Sequence, residues 1–274
     1  MKLLSIDKEK CRQDGLCAAD CPAGIIRFKG KGSYPELSRN GENACLRCGH
    51  CVAVCPHGAL DHAEVPMAQC PPIEKELEIT QPQAIQFLRS RRSVRRFKDR
   101  PVEQTVMQRL IEIGRYAPTG SNSQLLEWAV INDKGRLQDV SAAVAQWMRA
   151  TLQADPEAKA MPYLPNLLKA WDRGYDVVLR SAPSLVVSMS PAHDRNGMVS
   201  LTLALSYLEL AAPLYGLGTC WAGLLQGAMM ASPGIKQMVG IPDDYPHHYP
   251  MMIGYSDARY YRLIERKKPK ISWY

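Results

Sequence analysis

The chain has 274 residues, 46% of them hydrophobic and 22% charged, with a formal net charge of +7. That composition suits one large or two ordinary globular domains with a real core. No uninterrupted apolar run reaches the length of a membrane span, and the opening "MKLLSIDKEKC" turns charged too early for a secretory signal. A cytoplasmic protein without a membrane segment is expected.

The charge is unevenly placed. Residues 1–80 carry ten Lys/Arg against eleven Asp/Glu, and the rest carry twenty-four against sixteen. A basic second part suggests anionic ligands or phosphates. No basic run with interleaved aromatics occurs, so nucleic acid is not expected as a partner.

In chain order, the first distinctive segment is "CRQDGLCAADCP" (residues 11–22). A bacterial iron–sulfur run reads C-x2-C-x2-C-x3-C-P. Cys11, Cys17 and Cys21 fall in register and Pro22 follows, but Asp14 stands at the second cysteine position. The segment "CLRCGHCVAVCP" (residues 45–56) fits the run completely, through Cys45, Cys48, Cys51 and Cys55. Soft thiolates at these spacings suit an iron–sulfur cluster, and Gly49 lets the backbone approach it closely. Zinc loops rarely repeat a third cysteine at this spacing and close with Cys-Pro. Each run leads into a short piece, "AGIIRF" or "HGALDH", so the first part is an internal duplication. So short a segment buries little apolar surface, and a metal core is expected.

Eight of the nine cysteines lie in the first seventy residues; Cys70 is left over and is expected to be a packed or linker thiol. Pro71, Pro72 and Pro82 punctuate a linker. The expected division is a first domain over 1–70, a linker over 71–82 and a second domain over 83–274.

The second part reads as mixed helix and strand without regular βαβ alternation. "VEQTVMQRLIEIGRYA" places Val106, Leu110, Ile113 and Ala117 on one helical face. "LEWAVI", "PSLVVSMS" and "YPMMIGYS" read as strands, and "RLQDVSAAVAQWMRATL" as a helix. Residues 198–216 are apolar nearly all round and predict a fully buried helix in a domain or dimer core. Three further segments carry ligand chemistry. "RSRRSVRRFKDRPV" offers forked arginine donors to a phosphate. "YAPTGSNSQLLEW" offers backbone N–H groups and amides to a polar ring edge. "YGLGTCWAG" has glycines that permit approach to a planar ligand. Cys220 is expected to be a small buried residue, and the six histidines form no ligand spacing.

Residues 1–62 resemble a two-cluster bacterial ferredoxin, in which the fourth cysteine of each run serves the other cluster. The resemblance implies one [4Fe-4S] cluster on Cys45, Cys48, Cys51 and Cys21. It implies a second cluster on Cys11, Cys17 and Cys55, with Asp14 at the vacant corner. That corner has three readings: a four-iron cluster with Asp14 as an oxygen ligand, a [3Fe-4S] cluster with Asp14 free, or a lost cluster. A plain turn aspartate is the simplest alternative.

Residues from about 83 to 270 resemble the FMN-dependent nitroreductase family. The implied fold is an α+β sheet flanked by helices, following the small two-cluster domain, and the implied unit is a homodimer with FMN at its interface. By the same resemblance Arg91, Arg92, Ser93 and Arg95 bind the phosphate and ribityl chain. Pro118, Thr119, Gly120, Ser121 and Asn122 form a turn lent by the partner, with Gln124 beside it. Trp221, Ala222 and Gly223 lie against the ring, and Arg262 is the late basic residue near the phosphate, ahead of Arg266. No protein nucleophile is implied, since FMN does the chemistry. The expected function is electron flow from the clusters to FMN and on to a nitro, quinone or activated-alkene acceptor. The donor is a low-potential ferredoxin-like protein or NAD(P)H. The alternative is a non-catalytic electron carrier or redox sensor. The segment "MPYLPNLLKAWDRGYD" (residues 161–176) is expected to cover the flavin.

Overall fold

The computed structural model describes residues 2–156 and 161–274. The chain divides into two compact units. One is Met1–Glu78 together with Ser121–Ser123; the other is Ile79–Gly120 and Gln124–Tyr274.

The first unit is built on the duplication. Strand β1 (Leu4–Ile6) is followed by helix α1 (Leu16–Ala19) and the two-residue strands β2 (Ile26–Arg27) and β3 (Glu36–Leu37). Helices α2 (Gly41–Ala44) and α3 (His50–Ala53) and strand β4 (Leu60–His62) complete it. β1 pairs antiparallel with β4, and β2 with β3. α1 and α3 are single turns, too short to stand alone. Each is entered through a left-handed glycine, Gly15 at φ 80° and Gly49 at φ 72°. A small core of Cys17, Ile25, Ile26, Val52 and Leu60 lies between them. Cys70 packs on this core and its thiol donates to the Pro66 carbonyl, as a packed thiol should.

The second unit begins with α4 (Gln81–Ser90), capped at Thr80 by a reciprocal box with Gln83. α5 (Gln104–Gly114), β5 (Glu127–Ile131), α6 (Lys134–Ala154), α7 (Leu164–Trp171), β6 (Ser184–Ser190) and α8 (Gly197–Ala211) follow. β7 (Leu217–Trp221), α9 (Gly223–Ala231), α10 (Pro233–Met238) and β8 (His247–Tyr255) complete it. The strands form one antiparallel sheet in the order β5-β6-β8-β7. β6 is buried along its whole length, with Ser184, Ser188 and Ser190 buried between its apolar residues Leu185, Val186, Val187 and Met189. Leu185, Val187 and Met189 face a core built with α6, α7 and α9; Val186 faces a second core built with α5 and α8. The architecture is α+β, a sheet with helices on both faces.

Two expectations need correction. The buried line of α5 is Met107, Leu110 and Gly114, with Val106 and Ile113 flanking; Ala117 is buried but lies beyond the helix end. α8 is buried on the side that packs on the sheet and α5, and among the described residues nothing covers its other side, so a domain core alone does not bury it. Val199 and Tyr207 are exposed on it, and Leu214 follows, also exposed. Gly197–Tyr215 is, among the described residues, the one helix long and apolar enough to cross a membrane by length and composition. It passes on average hydropathy and not as an uninterrupted apolar run, since Ser200, Thr202, Ser206 and Glu209 fall within it. Half of this stretch is buried in the fold, and Glu209 interrupts it.

Candidate functional site

In the first unit, two cavities mark where the cysteines converge. Cys21, Cys45, Cys48 and Cys51 line one of them, with Leu4, Ile25 and His62. Cys11, Asp14, Cys17 and Cys55 line the other, with Phe28 and His57. The crossed grouping follows from the fold. α1 and α3 pack together, so the last cysteine of each run points into the cavity of the other.

All nine cysteines are free thiols. Burial pushes the Cys51 thiol up to about 11, and Cys45 and Cys48 add to the rise. Cys17 is raised by burial and then by Cys55. Such thiols resist ionising together unless a cation shares the site, which is the demand a cluster meets. Among the described residues no three His, Cys, Asp or Glu side chains converge at single-ion distance. The ligand sets surround cavities instead, as the corners of a cluster require. Two backbone N–H groups also reach sulfur, Arg47 N to Cys45 Sγ and Ala59 N to Cys55 Sγ, each at 3.4 Å.

Asp14 uses Oδ1 to accept from Leu16 N at 3.1 Å, and its Oδ2 lies 3.5 Å from His57 Nε2. It is therefore a turn residue and a cavity-lining residue at once. Asn122 also belongs to this unit, donating its amide to the carbonyls of Leu46 and Arg47 at 3.0 and 3.1 Å.

In the second unit, the structure stitches the arginine segment to the Trp221 segment. Ser93 forms a parallel bridge with Thr219, and Val94 N donates to the Thr219 carbonyl at 2.8 Å. This approach requires Gly218, where a Cβ would stand 2.4 Å from Val94 Cγ2. Glu209 of α8 binds both segments. Its Oε1 accepts from Arg91 Nη1 at 3.0 Å and its Oε2 from Trp221 Nε1 at 2.9 Å. Trp221 is also held edge-on by Tyr249, with ring centroids 5.1 Å apart.

Arg92 gives Nη1 to the carbonyls of Arg89 and Arg91 and Nη2 to that of Arg262. Its Nε is buried without a partner. Arg92, Arg259 and Arg262 line one cleft with Tyr260 and Tyr261, so Arg262 does reach the arginine segment. An orphaned guanidinium donor in a basic cleft fits an anion such as a phosphate. Arg95 donates to the Ser93 carbonyl and Ala222 is buried, whereas Gly223 is exposed at the start of α9.

The turn at residues 118–124 has its contacts elsewhere. A Cβ on Gly120 would meet the Asn196 side chain, and Thr119 Oγ1 accepts from Gln124 N. Ser121, Asn122 and Gln124 hold left-handed φ of 52°, 56° and 50°. Such strain clusters where a loop is held for a purpose. Pro118, Ser121 and Gln124 are exposed. Residues 161–176 form a wall. Leu164 and Leu168 enter the core, and Trp171 and Tyr175 line a cavity of about 610 Å³ with Phe97 and Leu137. None of the residues expected to hold flavin lines that cavity. Cys220 is buried, which raises its thiol.

Sequence reasoning missed Glu209 and His62. Glu209 carried a signal, as the only charge in residues 198–216, because a buried carboxylate needs a partner. His62 carried none, since its partner Cys45 is seventeen residues away.

Residues 88–255 match the model of the Nitroreductase family, and residues 9–60 match that of the 4Fe-4S dicluster domain. Similar solved structures include a nitroreductase with bound FMN from Desulfitobacterium hafniense DCB-2. It is 17% identical, covering 71% of this chain and 100% of that one, with a TM-score of 0.55. A BluB-like flavoprotein from Clostridium difficile 630 is 20% identical, covering 70% and 96%, with a TM-score of 0.55. A nitroreductase with bound FMN from Bacteroides fragilis NCTC 9343 is 19% identical, covering 69% and 95%, with a TM-score of 0.52. At these identities the likeness is one of fold.

Proposed function

Because this chain belongs to the nitroreductase family and joins a 4Fe-4S dicluster domain to it, we propose that it is an iron–sulfur flavin oxidoreductase. In this reading electrons enter through the clusters and leave from FMN to a small oxidised organic acceptor: a nitro compound, a quinone or an activated alkene. The carrying observation is the pair of cavities, each lined by one complete crossed ligand set. FMN, when bound, supplies two-electron storage and hydride transfer, and the clusters supply one-electron relay.

The chain's own residues have separate tasks. Cys21, Cys45, Cys48 and Cys51 hold a [4Fe-4S] cluster. Cys11, Cys17 and Cys55 hold the second, with Asp14 at its fourth corner or beside a three-iron form. Arg91, Arg92, Ser93, Arg95 and Arg262 bind the flavin phosphate and ribityl chain, and the orphaned Arg92 Nε is the donor that most needs an acceptor. Trp221, Ala222 and Gly223 flank the ring.

A second copy lends Pro118, Thr119, Gly120, Ser121, Asn122 and Gln124 across a homodimer interface. Exposed apolar surface in the second unit supports that assembly: Ile85 and Leu88 on α4, Val199 and Tyr207 on α8, and Trp273 in the tail. Cysteines reserved for cluster ligation rather than disulfides suit a reducing compartment such as the cytoplasm.

Anaerobic purification with flavin, iron and sulfide counts tests the reading. About eight irons per chain place a ligand at the fourth corner, about seven mean a three-iron site, and about four mean one cluster only. Turnover of a nitro or quinone acceptor with a reduced low-potential donor supports the enzyme. Cluster and flavin reduction without turnover favours the carrier or sensor. Bleaching by NADH or NADPH alone identifies nicotinamide as the donor.

A further inference from the structure

The two cluster sites are related by the duplication, and one of the positions at which they differ carries a buried histidine. The aligned pieces "AGIIRF" and "HGALDH" pair Phe28 with His62. Phe28 lines the cavity of Cys11 and Asp14, and His62 lines the cavity of Cys45. His62 is 1% exposed at the end of β4. A polar ring so buried needs its hydrogen bonds accounted for.

They are accounted for in one way. Nδ1 receives two backbone N–H groups, from Glu64 at 3.1 Å and Val65 at 3.2 Å. Asp61 Oδ1 pins the same turn by accepting from His62 N and Met67 N. With Nδ1 an acceptor, the ring proton sits on Nε2. That atom lies 3.5 Å from Cys45 Sγ. The chain thus fixes the tautomer and aims an N–H at a sulfur that Arg47 N also approaches. Phenylalanine at the paired position has no donor to give.

We infer that His62 is a positioning residue that raises the reduction potential of the cluster on Cys21, Cys45, Cys48 and Cys51 above the value that cluster has without this donor. The reduced cluster carries one more negative charge, and a donor to its ligand sulfur favours that form. One electron enters and no proton moves, because Nε2–H donates to the sulfur in both states.

This inference rests on the reading that both clusters bind, and the test separates the two. EPR-monitored redox titration of the anaerobically loaded protein is run on wild type and on His62→Phe, which copies the paired position. The expected result is a fall of about tenfold in the reduced-to-oxidised ratio of one cluster at fixed potential, about 59 mV for one electron. The other cluster stays unmoved, and His62→Gln, which keeps an N–H donor, recovers part of the shift. Unchanged potentials with both clusters loaded, or equal shifts in both, overturn the inference. Absence of iron from the wild type overturns the underlying reading instead. Should His62→Phe fail to load, ¹⁵N-histidine HYSCORE on the wild type and His62→Gln decides. Nitrogen coupling to the Cys45 cluster that disappears in His62→Gln sustains the inference, and the lack of any such coupling overturns it.

Discussion

Replacing Glu209 by glutamine tests whether one buried carboxylate organises the flavin half. Glu209 is 6% exposed, with Arg91 on one oxygen and the Trp221 indole on the other. Glutamine keeps the size but offers one oxygen, so one donor loses its acceptor and Arg91 loses its counter-charge. A hydrogen bond to a charged group contributes about 1.5–3 kcal/mol and a neutral one about 0.5–1.5. The Arg91 side chain is 29% exposed, so water recovers part of its loss. A net destabilisation of about 2 kcal/mol follows, which lowers Tm by about 4–8 °C in a unit of this size.

The functional effect is larger than the thermal one suggests, because both donors hold residues proposed to touch FMN. If about 1.4 kcal/mol of the loss appears in binding, FMN affinity falls tenfold. Fluorescence titration of the flavin-free protein measures that affinity, and circular dichroism gives Tm. Trp221→Phe should add little in the Glu209→Gln background, since the bond it removes is already weakened. A Glu209→Gln protein with unchanged Tm and unchanged FMN affinity would refute the reasoning, and additive losses with Trp221→Phe would refute the shared-acceptor part of it.

Three other expectations are independent of this one. Asp14→Cys should bring the iron count to about eight and abolish any three-iron EPR signal; an unaltered spectrum would remove Asp14 from the cluster site. His248, bonded to Gln226 in the core, is driven down to about 4 by burial, with Lys236 and His247 adding to the fall. The unfolded chain takes this proton at higher pH than the folded one. The stability it contributes is therefore complete above pH 6.5 and falls by about 3 kcal/mol as pH drops toward 4. Urea midpoints across that range should show the slope, and His248→Gln should flatten it. Gly218→Ala places a methyl against Val94 and should cost about 1–3 kcal/mol, with partial rescue by Val94→Ala; a neutral result in thermal melts would show that the two segments separate freely.

What was legible in the sequence was local. Within each run the proposed cluster ligands sit a few residues apart and their spacing marks them, whereas the exchange of Cys21 and Cys55 between the two cavities came from the resemblance and agrees with the packing of α1 and α3. The flavin segments are short loops whose chemistry is contained in their own letters. What was not legible depends on partners far along the chain. Glu209 meets Arg91 across 118 positions, and His62 meets Cys45 around a turn that no periodicity marks. α8 misled for a different reason. Its apolar residues run all round, yet within one chain only the side against the sheet and α5 is covered, and hydropathy alone does not tell a face covered within the chain from one left exposed. On α5 the face was rotated by one position, since Gly114 and Met107 pack closely where larger apolar letters drew attention to Val106 and Ile113.

The duplication also bears on why an aspartate can stand where its twin has a cysteine. Gln13 and Arg47 are both left-handed, at 59° and 52°, and Gly15 and Gly49 follow at 80° and 72°. Asp14 and Cys48 are therefore presented by the same loop, and a side chain at position 14 starts from where a thiolate would reach a cluster corner. The carboxylate differs in having two oxygens. Oδ1 closes the turn through Leu16 N, a bond that owes nothing to metal. Oδ2 lies 3.5 Å from His57 Nε2 and is the oxygen that would meet iron if Asp14 serves the cluster. A hard oxygen suits a soft cluster less well than sulfur does, so in the proposed four-iron reading that iron would be the one most easily exchanged. The Asx turn holds the loop in either case. In the proposed reading the substitution separates two jobs that a cysteine would do with one atom, shaping the loop and holding the metal, and only the second would become reversible.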